Sequence, residues 1–585
     1  MSIAELVPSW RALPDAVGPL IDGASLRGRS YRMRSADKVD LTAHGILKAR
    51  GQADHHSEFL APRLDRDMPS PWLLTDMDAA AERIAMAVER REKVIVFGDY
   101  DVDGASSTAV LGRWFAGVGL AIDAYIPDRL TEGYGPSPIA IERATAGKPD
   151  LLICVDCGTA AKEILDQVSS DVIVIDHHKQ QGDLPDIVAV VNPHREDDTS
   201  GLGMLCAAGL SFLTVVAANS VLRERGTLPD NAPKVKDLLD IVALATVADV
   251  VPLIGPSRLF VAKGLEIIAK SPSPGISALM AIAGVKDVSA GKIGFALGPR
   301  VNAGGRVGNG SSEMDGALGV KLLMAAAREE ADRHAAQLDS MNRQRQEVQQ
   351  SCLEEAISLA QKQIDEGAPM ITVFGQGWHP GVVGIVAGRL RERFDVPVLV
   401  GAFDGALIKG SGRSVPGFDL GAVIIEASKR GLLEKGGGHA MACGFTCRDK
   451  EWSDFERFVR GRARWAPEPV IVDCLIEGAD IEMDAVQTLV QLEPLGQGNP
   501  SVKAVIGSLE VGAVRQLKGG HVKVDLHHSN GIVEGLWWRA AEDGFEEILL
   551  GMKGVKVQAV GAPRVDEWQG RRRISMELVD LIPAA

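Results

Sequence analysis

Three short apolar runs along the chain end abruptly in acid or imidazole. Val94-Ile95-Val96-Phe97 leads into Gly98-Asp99-Tyr100-Asp101-Val102-Asp103-Gly104, Leu151-Leu152-Ile153-Cys154-Val155 into Asp156, and Val172-Ile173-Val174-Ile175 into Asp176-His177-His178. β-Branched runs of this length, separated by helix-length stretches, predict parallel strands of an α/β sheet. Between Lys321 and Glu366 there is neither Gly nor Pro, in a segment rich in Ala, Glu, Gln and Arg. That predicts a helix about 70 Å long if it is continuous, at about 1.5 Å per residue. After Gly367-Ala368-Pro369, apolar runs at 371–374 and 396–400 predict strands of a second α/β unit. Beyond Pro467-Glu468-Pro469 the residues alternate, as in Val522-Lys523-Val524-Asp525-Leu526 and Val555-Lys556-Val557-Gln558-Ala559-Val560. That period of two predicts a small β-barrel. The chain thus divides into an N-terminal arm (1–75, closing at Pro69-Ser70-Pro71), a parallel-sheet domain (76–319), a connecting helix (320–366), a second α/β domain (367–465) and the barrel (466–585). No internal repeat or low-complexity tract interrupts them.

Size and composition change this picture little. A chain of 585 residues, 46% hydrophobic and 24% charged, is ample for several cores and ordinary for a soluble protein. The longest apolar stretch, from Ala207 to Leu222, contains Ser211, Thr214, Asn219 and Ser220, and reads as a buried helix rather than a membrane span. Met1-Ser2-Ile3-Ala4-Glu5 lacks the basic and apolar regions of a signal peptide. Seven cysteines in such a length make no disulfide framework, so the expected location is the cytoplasm. Cys154-x-x-Cys157 has a spacing known from zinc and redox sites, but no second pair follows nearby. The net charge of −15 speaks against a broad nucleic-acid surface. It does not exclude a basic cleft, and carboxylates that hold metals count as negative until the metals arrive.

The chemistry lies at the strand ends. Open α/β sheets bind ligands beyond the carboxyl ends of their strands. Carboxylates and imidazoles gathered there form a hard oxygen and nitrogen set suited to Mn²⁺ or Mg²⁺. One acidic cluster alone would be a solvated turn; three in succession point to a metal-dependent phosphoester site. Two other histidine pairs show how little adjacency alone means. Asp54-His55-His56 follows the polar stretch Ala49-Arg50-Gly51-Gln52-Ala53, and His527-His528 lies among polar residues.

Together with motifs further along the chain, these clusters resemble the DHH phosphoesterase superfamily, and within it the bacterial RecJ single-strand-specific exonucleases. Asp99-Tyr100-Asp101-Val102-Asp103-Gly104 is similar to the first motif of that family. Pro127-Asp128-Arg129 through Glu132-Gly133-Tyr134-Gly135 resembles the second, Asp156-Cys157-Gly158 the third, and Asp176-His177-His178 the name-giving one. The similarity continues through Thr246-Val247-Ala248-Asp249, Gly298-Pro299-Arg300-Val301-Asn302-Ala303-Gly304-Gly305-Arg306 and Trp378-His379-Pro380-Gly381. It ends with Gly436-Gly437-Gly438-His439 and Pro494-Leu495-Gly496-Gln497-Gly498-Asn499-Pro500. It covers nearly the whole chain in order. The resemblance implies a DHH domain joined by the long helix to a DHHA1 domain, with an OB-fold as the barrel. It also implies 5′→3′ hydrolysis of single-stranded DNA in recombination and repair. Single-strand-binding protein and a helicase would be possible partners, and no membrane would be involved.

Phosphodiester hydrolysis needs an activated water, charge neutralisation on the phosphoryl oxygens and a stabilised leaving oxygen, which two divalent cations about 4 Å apart can supply. Asp156, alone on the middle acidic strand end, is the candidate bridge. Asp101 and Asp103 would each face one metal, with Asp99 as an outer or additional ligand, His177 as a neutral imidazole ligand and Asp249 completing the set. His178 is assigned to the scissile phosphate or to support of the ligands, and Asp176 to orienting the turn. Some superfamily members carry a His ligand where this chain has Phe97, and relatives commonly carry Asn where it has Cys157. Gly410-Ser411-Gly412-Arg413-Ser414 and Gly436-Gly437-Gly438-His439 are expected to be small-residue loops offering donors to phosphate. By resemblance, Arg129, Arg300, Asn302, Arg306, Ser411, Arg413 and His439 contact DNA phosphates or the 5′ end. Of Trp537-Trp538, core packing of at least one is expected over base stacking. The alternatives are a DHH hydrolase of short oligonucleotides, cyclic dinucleotides or pyrophosphate, and a non-catalytic DNA-binding scaffold.

Overall fold

The three runs are adjoining strands of one sheet. Val94–Phe97 (β1), Asp123–Tyr125 (β2), Leu151–Val155 (β3), Asp171–Ile175 (β4) and Ala189–Val191 (β5) lie in the order β2-β1-β3-β4-β5, every pair parallel. This computed structural model describes residues 13–52, 56–128, 131–133, 135–305, 316–568 and 570–584. Alternate residues of the strands enter two different cores. Val94, Val96, Leu151, Ile153, Ile173 and Ile175 pack with helices Met77–Arg90, Val102–Gly117 and Ala207–Glu224. Ile95, Phe97, Leu152, Cys154, Val172 and Val174 face helix Pro138–Thr145 instead. Burial on both faces is why the runs carry no polar alternation. The strand order reverses between β1 and β3, so the chain leaves them in opposite directions and opens a crevice at their carboxyl ends. The stretch from Ala207 to Leu222 lies within a helix with 14 named buried positions, and among the described residues no helix is long and apolar enough to cross a membrane.

The described residues of 1–14, 54–342 and 491–501 form one compact unit, and those of 15–53, 343–490 and 502–585 a second. The expected continuous helix is broken. Leu318–Met324 ends with Ala325 at φ −53°, ψ 127°, and Arg328–Asp365 begins afresh. Ala325, Ala331 and Ala335 are all buried in the first unit's core, so packing overrides the helical preference of the alanine run. Glu329 and Glu330 supply the acidic first turn that suits a new helix start. The second helix has 38 residues, and the division between the units falls within it.

In the second unit, Ile371–Gln376, Val398–Phe403, Leu407–Arg413, Ala442–Arg448 and Lys435–His439 form a mixed five-stranded sheet in that spatial order. The two glycine-rich stretches expected to be loops are therefore strands. Their glycines answer to packing: a Cβ on Gly410 would come within 2.1 Å of Phe445 Cζ, and one on Gly412 within 2.5 Å of Cys443 Sγ. The C-terminal barrel is built from Ala504–Leu517, His521–His528, Gly531–Trp537, Lys556–Trp568 and Arg571–Pro583. It closes where the first of these pairs with the fourth. Val522, Val524 and Leu526 point inward, as the alternation requires.

The N-terminal arm does not behave as one piece. Strand Tyr31–Met33 pairs in parallel with Val470–Val472, and a buried ion cluster fixes this join. Asp473 accepts two bonds from Arg50, Nε at 3.0 Å and Nη2 at 2.9 Å, and one from Arg34 Nε at 3.1 Å. Burial alone would raise the pKa of Asp473, but the bonds and charge of Arg50, with the charge of Arg34, hold it below the usual carboxylate value. Its stabilising effect is thus full above the unfolded-state pKa and is lost as pH falls through the folded one. Asp473→Ala, which takes the shared carboxylate away from two buried guanidinium groups, should lower the unfolding free energy by ~3–5 kcal/mol in urea titrations at neutral pH. The gap between parent and variant should narrow as pH drops below the ordinary carboxylate range.

Candidate metal centre

The loop after β1 is shaped by its own carboxylates and one distant amide. Asp101 caps helix Val102–Gly117, accepting from the backbone N–H of Asp103 at 2.9 Å and of Gly104 at 3.0 Å. Val102 N–H donates to Asn302 Oδ1 at 3.1 Å. Gly104 is required by contact, since a Cβ there would lie 2.5 Å from the Asp99 nitrogen. Asp103 is buried, yet its two oxygens accept from Ala207 N–H at 2.7 Å and Ala208 N–H at 2.9 Å. Those are the opening amides of helix Ala207–Glu224, donors without partners inside their own helix and at the positive end of its dipole.

Asp156 follows β3 in the left-handed region, at φ +60°. A non-glycine residue held there costs ~1–3 kcal/mol, a strain that collects at functional sites. Its N–H donates to the Ile175 carbonyl at 2.9 Å, which ties it to the end of β4. The Asp176 carboxylate is buried and used internally. It accepts from the N–H groups of Thr159 (3.1 Å), His177 (2.8 Å) and His178 (3.1 Å), and lies 2.8 Å from His178 Nδ1. Asp176 thus holds the turn that aims the two imidazoles, whose ring centroids are 4.8 Å apart at 58°.

His177 Nε2 is the meeting point, 3.3 Å from Asp156 Oδ1, 3.6 Å from Asp103 Oδ2 and 3.6 Å from Asp249 Oδ2. Three overlapping groups could each hold a cation: Asp99 with Asp101 and Asp156, Asp103 with His177 and Asp249, and Asp156 with His177 and His178. Asp99, given by the sequence as an outer or additional ligand, lies in one group with Asp101 and Asp156.

The electrostatics fit such ions. Burial pushes the Asp156 carboxyl well up, and the charges of Asp103, Asp101, Asp99 and Asp249 add to that. Burial likewise raises Asp103, with Asp101 adding to it against the pull of His177. Asp249 is pushed up to about 8 by burial and then by the Asp103 and Asp101 charges. Carboxylates crowded in this way repel one another, and a divalent cation is what turns the crowding into binding. Burial lowers His177, leaving the neutral imidazole that ligates metal. His178 is half exposed and pushed up to about 9, chiefly by its hydrogen bond to Asp176.

The remaining candidates divide between the units. Arg129 and Arg306 lie outside the described residues. Arg300 donates from Nε to Asp339 at 2.9 Å and from Nη1 to the Ala296 carbonyl at 2.6 Å, and Asn302 accepts from Val102 N–H as described above. In the second unit, Ser411 and Arg413 sit two apart on one strand and so share a face. Arg413 and His439 are both in register with Ala442, forming a row across three strands. Gly384, at the start of helix Val383–Phe394, completes the group: a Cβ there would lie 3.3 Å from Ser411 Oγ and 3.4 Å from Arg413 Nη2. A hydroxyl, a guanidinium and a helix N-terminus side by side make an anion-binding surface.

Trp537 is buried against Phe545, with its ring 5.4 Å from the Arg27 guanidinium carbon, whereas Trp538 is 45% exposed. Cys154 and Cys157 are buried free thiols with pKa values raised by burial. Phe97 stacks on Tyr125 in the core. The sequence reading missed Asn192, at the end of β5, whose amide donates to Thr159 Oγ1 and the His178 carbonyl, both at 2.8 Å. The signal was available, for Val188-Ala189-Val190-Val191 is one more apolar run ending in polar residues, Asn192-Pro193-His194.

Comparison with known proteins identifies the domains that carry most of these residues. Residues 93–246 match the DHH family N-terminal domain, 367–465 the DHHA1 domain and 472–580 the RecJ OB domain. The chain is 32% identical over 556 residues to the single-stranded-DNA-specific exonuclease RecJ of Escherichia coli (strain K12), covering 89% of this chain and 93% of that one. The namesake from Bacillus subtilis (strain 168) is 32% identical over 532 residues, 88% of this chain, and this chain spans 64% of its length. Among solved structures, RecJ in complex with Mn²⁺ from Thermus thermophilus superposes with a TM-score of 0.74 at 28% identity, covering 92% of this chain and 75% of that one. The complex with Mg²⁺ from the same organism gives 0.69 at 27% identity, covering 93% and 74%.

The raised carboxylates imply a pH dependence for the metal-free protein. Between the ordinary Asp value of 3.8 and about 8, folded Asp249 holds a proton that the unfolded chain releases. Asp156 and Asp103 act in the same sense, as does His178, whose pKa is raised to about 9, while the lowered His177 and the more exposed His528 act the other way. Stability should therefore fall as pH rises through that window. Chelator-treated protein should melt at progressively lower temperature from pH 5 to pH 8, and added Mn²⁺ should flatten or reverse the trend, as read by calorimetry.

Proposed function

The chain belongs to the RecJ family of the DHH phosphoesterases, and from that membership we propose that it is a metal-dependent exonuclease that degrades single-stranded DNA from its 5′ end in recombination and repair. The observation that supports this most directly is the sharing of Asp156, at the β1/β3 crevice, between the Asp99–Asp101 group and the His177–His178 group. Its Oδ1 lies 3.3 Å from the His177 Nε2 that also faces Asp103 and Asp249. Asp99 and Asp101 would hold one divalent cation and Asp103, His177 and Asp249 the other, with Asp156 between them. Two Mn²⁺ or Mg²⁺ ions bound in this way supply the activated water, the charge neutralisation on the phosphoryl oxygens and the stabilised leaving oxygen.

The chain's own side chains do the rest. His178 keeps its proton at neutral pH because Asp176 holds its Nδ1, so it serves the scissile phosphate as a hydrogen-bond donor. The two opening amides of helix Ala207–Glu224 favour the anionic form of Asp103 against the burial that raises its pKa. Ser411, Arg413 and His439 bind phosphate of the DNA, Arg413 at the 5′ end. Arg129, Arg300, Asn302 and Arg306 contact the strand as well. A scaffold without catalysis is disfavoured because every acidic ligand is retained. Such an enzyme works in the cytoplasm, where single-strand-binding protein and a helicase would supply its substrate.

End-labelled single-stranded DNA incubated with Mn²⁺ or Mg²⁺ tests the reading directly. Labels at the 5′ end should appear at once in the smallest products, and release from the 3′ end first would overturn the polarity. Asp156→Ala should lower turnover by at least about a thousandfold while leaving DNA binding in place, as measured by single-turnover hydrolysis and by fluorescence anisotropy.

Arg413 has a sharper signature. Arg413→Ala should raise KM for 5′-phosphorylated DNA about tenfold or more, the equivalent of a lost charge-assisted contact of ~1.5–3 kcal/mol. The effect should shrink on 5′-hydroxyl DNA. Equal losses on both substrates would reassign Arg413 to an internal phosphate.

A further inference from the structure

Asp249 closes helix Leu239–Ala248, and the next residue, Val250, stands at φ +60°. The position after a helix cap is one that glycine or asparagine normally fills, because a left-handed backbone crowds a Cβ, and a β-branched one most of all. Val250 is also 64% exposed, so burial of its side chain does not compensate. Val250 N–H donates back to the Val247 carbonyl at 3.3 Å, and the backbone that follows the turn is held as well.

That backbone is gripped by residues 491–501, which cluster with the metal-bearing unit although the barrel surrounds them in sequence. Leu253 N–H donates to the Gln497 carbonyl at 2.7 Å. Gly496 and Gly498 approach so closely that a Cβ on the first would lie 2.8 Å from Leu253 Cδ1, and on the second 3.1 Å from Pro252 Cβ. Asn499, 3% exposed, sets the shape of the segment by donating to the carbonyls of Leu492 at 3.0 Å and Pro494 at 2.9 Å. On the other flank Arg258, in helix Gly255–Lys270, donates to the carbonyls of Glu493 at 2.7 Å and Phe59 at 2.6 Å, with its guanidinium carbon 3.8 Å from the Phe59 ring centroid. Burial lowers the pKa of Arg258 to about 10, which marks how far these carbonyls, rather than water, surround it.

We propose that residues 491–501 are a positioning clamp for a metal ligand. They hold the strained Val250 turn so that the Asp249 carboxylate stays beside Asp103 and His177, and the affinity of the centre for its cation depends on them. This rests on the metal-centre reading given above, and the two fail in different ways. If the parent protein does not bind Mn²⁺, the metal-centre reading falls and the clamp with it. If the parent binds and the clamp variants bind equally well, only the clamp falls.

The test uses the full chain, with Mn²⁺ alone as the probe, in calorimetric titrations without DNA, alongside thermal melting of the metal-free proteins. Gly498→Ala pushes a methyl group between the segment and the turn, and should weaken Mn²⁺ binding about tenfold, the scale expected when support of a ligand is lost. Val250→Gly removes the strain at its source. Introduced into Gly498→Ala, it should restore most of the lost affinity, because an unstrained turn no longer needs the clamp. A segment that were merely structural would lower the melting temperature of Gly498→Ala without changing the Mn²⁺ affinity of the folded protein, and that result would overturn the proposal. So would equal weakening in the single and double variants. Should Gly498→Ala not fold, Asn499→Ala loosens the segment without a wedge and is read against the same outcomes.

Discussion

Mutual repulsion among buried carboxylates is the constraint around which the first unit is arranged. Asp99, Asp103 and Asp156 are each at most 2% exposed, and Asp101 and Asp249 stand beside them. Groups of like charge in a medium of low polarity favour protonation or separation, so the fold must oppose both until cations arrive. Among the described residues, much of that hold comes from the backbone, with the His178 imidazole 3.9 Å from Asp156 beside it. The first amides of helix Ala207–Glu224 hold Asp103, the start of helix Val102–Gly117 holds Asp101, and left-handed turns present Asp156 and precede the chain's exit from Asp249. A lysine or arginine in their place would neutralise the cluster permanently and compete with metal. Amides at helix ends supply partial positive charge and leave the site negative enough to attract it.

The two units divide the chemistry by sign. The first collects acceptors at the carboxyl ends of parallel strands, where the β1/β3 reversal leaves room for them. The second collects donors on one face of a mixed sheet, where Ser411, Arg413 and His439 join the start of helix Val383–Phe394. Phosphodiester hydrolysis needs both, cation ligands for the reacting phosphate and anion binders for the strand. The net charge of −15 is an average over the whole chain, and five of its 78 carboxylates gather in the candidate metal centre.

Much of the architecture was legible because long-range packing leaves a local trace. Strands covered on both faces must be apolar at successive positions, which exposed β1, β3 and β4, and barrel strands must alternate, which exposed Val522, Val524 and Leu526 as inward residues. Two expectations failed for a common reason. Gly410 and Gly412 looked like loop residues but are strand residues, because Phe445 and Cys443 fill the space where side chains would be. The alanines from 325 to 327 looked helical but turn, because the buried Ala325 and Ala331 fit the core only if the chain bends. Glycine and alanine are small enough to accept either outcome, so their neighbours decide.

The sequence by itself determined which acidic and imidazole side chains meet at the strand ends. Carboxylates and imidazoles at the ends of three apolar runs could be read without coordinates, since strand identity and ligand type are both properties of short segments. Only the tertiary structure decided how those residues are held. Asn302 caps a loop 200 positions earlier, a helix beginning at Ala207 supports Asp103, and residues 491–501 grip the turn after Asp249. Each of these contacts uses a backbone N–H, and each joins segments remote in sequence. A backbone N–H or carbonyl is the same group in nearly every residue, so nothing in the side-chain pattern announces which one will be used.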